Sequence, residues 1–167
     1  MRKHLIALIA LLVAFASCGC SKAVPKNLHA VNNIHRVENE AWKIDESRGH
    51  YVDEYASPTM TGTQLDAALT EAYFTQNGHL CLDLLISNGT DKMMQINALD
   101  IQAFDYATGE QFAGGAVTLE ELMIEAAGIE PYTVYIAPDH VLKGEDYKLP
   151  ELVSLTISFD SEPVEVA

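Results

Sequence analysis

From Thr61 onward, apolar runs are cut at short intervals by turn residues, and this punctuation limits the fold more than any other feature of the chain. Asn77-Gly78 is the sharpest cut. Both residues tolerate positive φ, and Asn-Gly between alternating apolar residues is the strongest short-range hairpin signal. Beyond it, Leu80, Leu82, Leu84 and Ile86 fall on one face of a strand, with His79, Cys81, Asp83 and Leu85 on the other. Leu65 to Thr75 reads as the partner strand, although Leu65, Ala68, Leu69 and Ala72 also fit one face of a helix. Ser87-Asn88-Gly89-Thr90 turns the chain again. Met93 to Tyr106 is long and apolar, but its alternation slips phase between Ile96 and Leu99, which predicts a bulge or break near Asn97. Asp105 to Glu110 reads as a further turn leading into Phe112.

Thr118 to Ala127 departs from this texture. Thr118 and Glu121 have capping-box spacing, and Leu119, Leu122, Met123 and Ala126 share a helical face. Gly128 is placed to end such a helix. Strand texture returns at Tyr132 to Ala137 and Leu152 to Phe159, with Pro131, Pro138 and Pro150 at the joints. Short strands at this spacing, with one helical insertion, predict a mainly β chain folded as a β-sandwich over residues 61–160. Residues 161–167 read as an acidic tail.

The N-terminus carries an address. Arg2 and Lys3 precede the apolar run Leu5 to Phe15, the layout of a secretory signal. That run is too short to span a bilayer as a helix, which takes about 20 apolar residues. Phe15-Ala16-Ser17-Cys18 resembles the lipobox of bacterial lipoproteins. The resemblance implies cleavage after residue 17 and a diacylglyceryl thioether on Cys18. Gly19, where Asp would signal retention at the inner membrane, then implies the outer membrane facing the periplasm, if the source has two membranes. Two rival readings stay open: lipidation at Cys20, and release of a soluble chain at Ala14-Phe15-Ala16. Residues 18–60 read as a lipid-anchored tether, in which Leu28, Val31, His35 and Trp42 form a ragged stripe of a candidate short helix.

The formal net charge is −14, and after Gly49 the basic residues are only Lys92, Lys143 and Lys148. Phosphate backbones would be repelled, so nucleic acid is excluded as a partner. The same field attracts cations or basic partners. A Cys20–Cys81 bridge is compatible with an oxidising compartment, but the spacing suggests no disulfide framework, and Cys81 reads as a packing residue.

The order of these segments resembles the immunoglobulin-like domain of unknown function carried by bacterial envelope lipoproteins. The residues that carry it are the apolar strand ending at Ser87-Asn88, the strand ending at Asp105 with Gly109 four residues on, and Ile129-Glu130-Pro131 before the next strand. The resemblance implies an immunoglobulin-like β-sandwich acting as an extracytoplasmic interaction module, and brings no catalytic residues with it.

Three clusters offer candidate chemistry. His79, Cys81 and Asp83 are metal-ligand types on one strand face, but at about 3.3 Å rise per residue the outer two lie about 13 Å apart. Asp105, Thr108 and Glu110 offer oxygens without the ordered spacing of a calcium loop. Glu121 and Glu125 are a carboxylate pair on the expected helix, where a solvated face explains them. His29, His35, His50 and His140 lack ligand spacing. No nucleophile elbow, zinc-protease pair, phosphate loop or dinucleotide fingerprint is present. The expectation is a non-enzymatic, cofactor-free module that binds or scaffolds an envelope protein. A cation- or small-ligand-binding lipoprotein is the alternative.

Overall fold

The structure is a computed structural model that describes residues 40–60, 62–144 and 146–165, with the side chains of residues 120 and 121 excepted. Among the described residues, seven strands run in chain order: β1 (His50–Val52), β2 (Leu65–Phe74), β3 (Leu80–Asn88), β4 (Met94–Asp105), β5 (Gln111–Ile124), β6 (Ile129–Ile136) and β7 (Val153–Pro163). They form two antiparallel sheets, one ordered β1-β2-β3-β6 and the other β5-β4-β7.

One apolar core lies between the sheets. Ala72, Phe74, Leu80, Leu82, Leu84, Ile86, Val134 and Ile136 reach it from the first sheet. From the second come Ile96, Leu99, Ile101, Phe112, Val117 and Ile124, among others. The alternation read from Leu80 to Ile86 is therefore the inward face of β3, as period-two patterning requires. The β2–β3 hairpin closes at Thr75 and His79, whose backbone bond is 2.9 Å. Gly78 alone in this loop takes positive φ, at 85°, so Gln76-Asn77-Gly78 is a three-residue connection and not a two-residue Asn-Gly turn. Asp105 to Glu110 also turns as expected, with Gly109 at φ 70° and its amide bonded to the Asp105 carbonyl at 2.8 Å.

The expected helical insertion at Thr118 to Ala127 is not there. β5 runs through Thr118 to Ile124 and pairs with β4 up to Ile124↔Met94. The misreading has a physical origin. Pairing passes from Ala98↔Thr118 directly to Ile96↔Leu122, so Asn97 faces an irregular stretch of β5. A bulge changes which pleat phase points inward, and core-facing Leu119 and half-buried Leu122 end up three residues apart. That spacing imitates a helical face. The phase slip in β4 near Asn97 is the other half of the same irregularity, and it recurs in the pairing with β7. Gly128, read as a helix stop, sits in the turn between β5 and β6, its amide bonded to the Glu125 carbonyl at 2.9 Å.

Residues 40–60, assigned to the tether from sequence, pack against the sheets. Short 3₁₀ turns occupy Glu40–Trp42 and Glu46–Arg48, whereas Leu28, Val31 and His35 of the expected helical stripe lie outside the described residues. Ile44 bridges Thr75, the Asp45 amide donates to the Phe74 carbonyl at 2.7 Å, and β1 extends the first sheet beside β2. Farther on, the Thr59 amide donates to the Asp66 carboxylate at 2.6 Å. Trp42, Tyr51 and Arg48 supply the apolar and cationic contacts that fix this segment, and they were too sparse to announce a strand. At the other end, β7 continues to Pro163, into the stretch read as tail. The candidate anchor Cys18, its rival Cys20, the signal, His29 and His35 lie outside the described residues.

Candidate functional site

Cys81 and Asp83 lie on the outer face of β3 and His79 stands just before its start, but the structure spends all three on packing and pairing. Cys81 is fully buried with Tyr73 and Tyr135, and Trp42 and Ile44 cover them from the N-terminal segment. Trp42 meets Tyr135 edge-on at 5.3 Å between centroids and lies 4.7 Å from the His79 ring. His79 places Nδ1 3.1 Å from the Asn77 side-chain oxygen. Burial pushes its imidazole below the usual range, against smaller upward pulls from Asp139 and the Asn77 backbone. Asp83 accepts from the Thr133 hydroxyl at 2.6 Å. No group of three His, Cys, Asp or Glu close enough to hold a metal ion occurs among the described residues.

The Asp105–Glu110 turn is likewise committed. One Asp105 oxygen accepts the Ala107 amide at 2.8 Å, and the Glu110 carboxylate pairs with Lys143 Nζ at 2.8 Å. The Glu110 hydrogen bond is the main cause that raises the Lys143 pKa. Glu125 is exposed in the turn after β5, so no helix holds it in step with Glu121.

Two residues that no candidate site included hold the ends of the fold. Arg48 is 8% exposed, with its guanidinium 3.5 Å from the centroid of Phe74, and Nε donates to the Tyr147 carbonyl at 2.9 Å. Asn88 is fully buried, and its side chain bonds five backbone or hydroxyl groups of the loops at the opposite end. A lone Arg in a polar stretch gives no signal of burial, whereas Ser87-Asn88 had stood out as part of the resemblance.

Surface relief is open: one depression of ≈ 580 Å³ lies at the loop end by Asp91, Lys92, Glu125 and Pro163, a smaller one of ≈ 300 Å³ lies over β3 and β6, and two more lie where β2 faces β7. Of these two, one of ≈ 460 Å³ is lined by Leu65, Met94, Ile157 and Phe159 among others. A second of ≈ 430 Å³ is lined by Tyr55, Ala67, Leu69, Val153 and Leu155 among others. No helix among the described residues is long and apolar enough to cross a membrane.

A two-sheet antiparallel β domain with its polar clusters turned to its own scaffold is the class this geometry defines. Residues 38–154 match the SLAP domain family, a surface-associated domain of bacteria, and the chain belongs to that family. The matched span takes in the N-terminal segment from Glu40 as well as β1 to β6. No curated protein matches the sequence. A solved structure described as the crystal structure of a protein from Archaeoglobus fulgidus is 9% identical, covers 66% of this chain and 100% of that chain, and has a TM-score of 0.31, too low to carry an argument.

Proposed function

We infer that the chain is a lipid-anchored envelope protein whose immunoglobulin-like domain binds another envelope protein and does no catalysis. The observation that carries this reading is the strand order. An immunoglobulin sandwich sets A-B-E on one sheet and C-F on the other, with C′ beside C in the extended form. Here β2-β3-β6 lie in the A-B-E order and β5-β4-β7 in the C′-C-F order, with β1 added outside β2. Membership of a surface-associated family and the Phe15-Ala16-Ser17-Cys18 sequence support the address. The acidic charge supports a basic partner met quickly and in a salt-sensitive way. Anchoring both proteins at one surface would raise their effective concentration.

Crosslinking in intact cells, followed by capture of the chain, tests the reading. A specific envelope protein should be recovered, less efficiently at high salt. Mass spectrometry of the membrane-extracted chain should find an acylated N-terminal cysteine at Cys18. Stoichiometric metal in the purified protein, with stability lost on chelation, would move the function to the cation-binding alternative.

A further inference from the structure

Among the described residues, the last strand of the second sheet is paired on one side alone. The Tyr106 amide donates to the Leu152 carbonyl at 3.1 Å and the Val164 amide to the Met93 carbonyl at 2.9 Å. Both bonds put even-numbered residues of this segment in register with β4. In an antiparallel ladder, alternate residues bond to one neighbour and the residues between them face the other side. The amides and carbonyls of Val153, Leu155, Ile157 and Phe159 therefore point away from β4, where no strand lies among the described residues. In the immunoglobulin order, that position belongs to strand G, next to F.

Three further features say what fits there. β7 spans 11 residues, about twice the usual strand length. From Val153 to Phe159 it carries no charged residue and no Pro, and the irregularity at Asn97 belongs to β4, so the devices that usually blunt an edge are confined to its far end, at Asp160, Glu162 and Pro163. Second, the core is only partly covered beside this edge, where Tyr51, Asp53, Tyr55, Ala56 and Ser57 wall one of the depressions. Leu155, Ile157 and Phe159 of β7 and Leu65, Ala67 and Leu69 of β2 are only partly buried, and the two depressions where β2 faces β7 lie between them. Alternate side chains of an added strand would enter those depressions. Third, the surroundings are negative. Asp160 and Glu162 are exposed on β7, Asp66 stands on β2, and neither strand carries a basic residue. A second copy would set like charge against like, whereas a basic segment complements it.

We propose that the free edge of β7 is a strand-addition site for an extended segment of a partner protein in which apolar and basic residues alternate, an inference that rests on reading the chain as a protein-binding module. Main-chain hydrogen bonds would hold the segment and the depressions would select its apolar side chains.

The probe is a capped synthetic peptide as long as β7 that alternates Val or Ile with Lys or Thr, added to the purified chain. Residue-resolved hydrogen exchange should show the amides of Leu155, Ile157 and Phe159 slowed by the peptide. Two N-methylated versions separate edge pairing from general stickiness. Methylating the amides that face β7 should weaken binding about tenfold or more, and methylating the other set should leave it unchanged. Ile157→Pro removes an edge-facing amide without removing a bond to β4, and should lose the peptide while its circular dichroism stays β. If that variant does not fold, the methylated pair still decides. Binding weakened equally by both methylated peptides, or protection mapped to β1 or β6, would overturn the edge site and leave the binding-module reading standing. So would slow exchange of the same amides in the peptide-free monomer, or a β7-mediated dimer. If neither the peptide nor any crosslinked partner is bound, both readings fall.

Discussion

The side-chain amide of Asn88, at the end of β3, donates to the carbonyl of Ile124, at the end of β5, across 2.9 Å. The two strands belong to opposite sheets, so this bond ties the layers together at one end. The same nitrogen reaches the Lys92 carbonyl at 2.7 Å and the Glu125 carbonyl at 3.0 Å, so its two hydrogens serve three acceptors. Its oxygen accepts the Thr90 amide at 3.0 Å and hydroxyl at 2.7 Å. Asn88→Ala should cost about 2–4 kcal/mol, since it strands the buried carbonyl and loosens two loops. Asn88→Asp should cost at least as much, because a carboxylate has no hydrogen to offer those carbonyls. Urea unfolding of both variants checks the order, and a near-neutral Asn88→Asp would refute the assignment.

Arg48 holds the other end. Besides its contact with Phe74, its carbonyl accepts the Leu149 amide at 2.7 Å, so the N-terminal segment and the loop before β7 are clasped together. Arg48→Lys should destabilise the chain by about 1–2 kcal/mol, because a compact ammonium loses the planar stacking and the forked donors. A double-mutant cycle with Phe74→Leu should return a coupling of about 0.5–2 kcal/mol.

Stability should fall on mild acidification through His79. Its folded-state pKa lies below the usual value of about 6.5, so below that pH the unfolded chain binds the extra proton more readily. The contribution is fully present above pH about 6.5 and is lost as pH falls toward the lower, folded-state value. Chemical denaturation across this range should show the slope, and His79→Gln should flatten it.

Gly114 marks a close approach of strands. A Cβ there would stand 2.5 Å from the Ile101 carbonyl oxygen, on a backbone with φ at 156°. Gly114→Ala should cost about 1–3 kcal/mol, read as a fall in Tm of several degrees. An unchanged melting curve would mean that β4 and β5 are farther apart than described.

Cys81 should resist thiol reagents in the native chain, since it is fully buried under the Trp42 cap. In a background with Cys18 and Cys20 replaced by Ser, Trp42→Ala should speed its labelling at least severalfold by exposing the outer face of β3. Equal labelling rates would show that the cap does not control access.

What the sequence determined by itself was local. Leu80 to Ile86 alternate because a strand packed on one side must, and Gly78 and Gly109 mark turns because the backbone there needs positive φ. The phase slip at Asn97 was legible because a bulge shifts the inward pattern within one strand. Tertiary structure decided the rest. Leu119 and Leu122 sit three residues apart, which suits a helix or a bulged strand, and only pairing with β4 chose between them. Arg48 and Tyr51 form no local pattern and Trp42 fits only a ragged helical stripe, so their packing against the sheets became visible only once β2 and β3 had met. Nor does a strand's own residues say which of its sides stays open. The exposed edge of β7 follows from the order β5-β4-β7, a property of long-range pairing that no window of sequence contains.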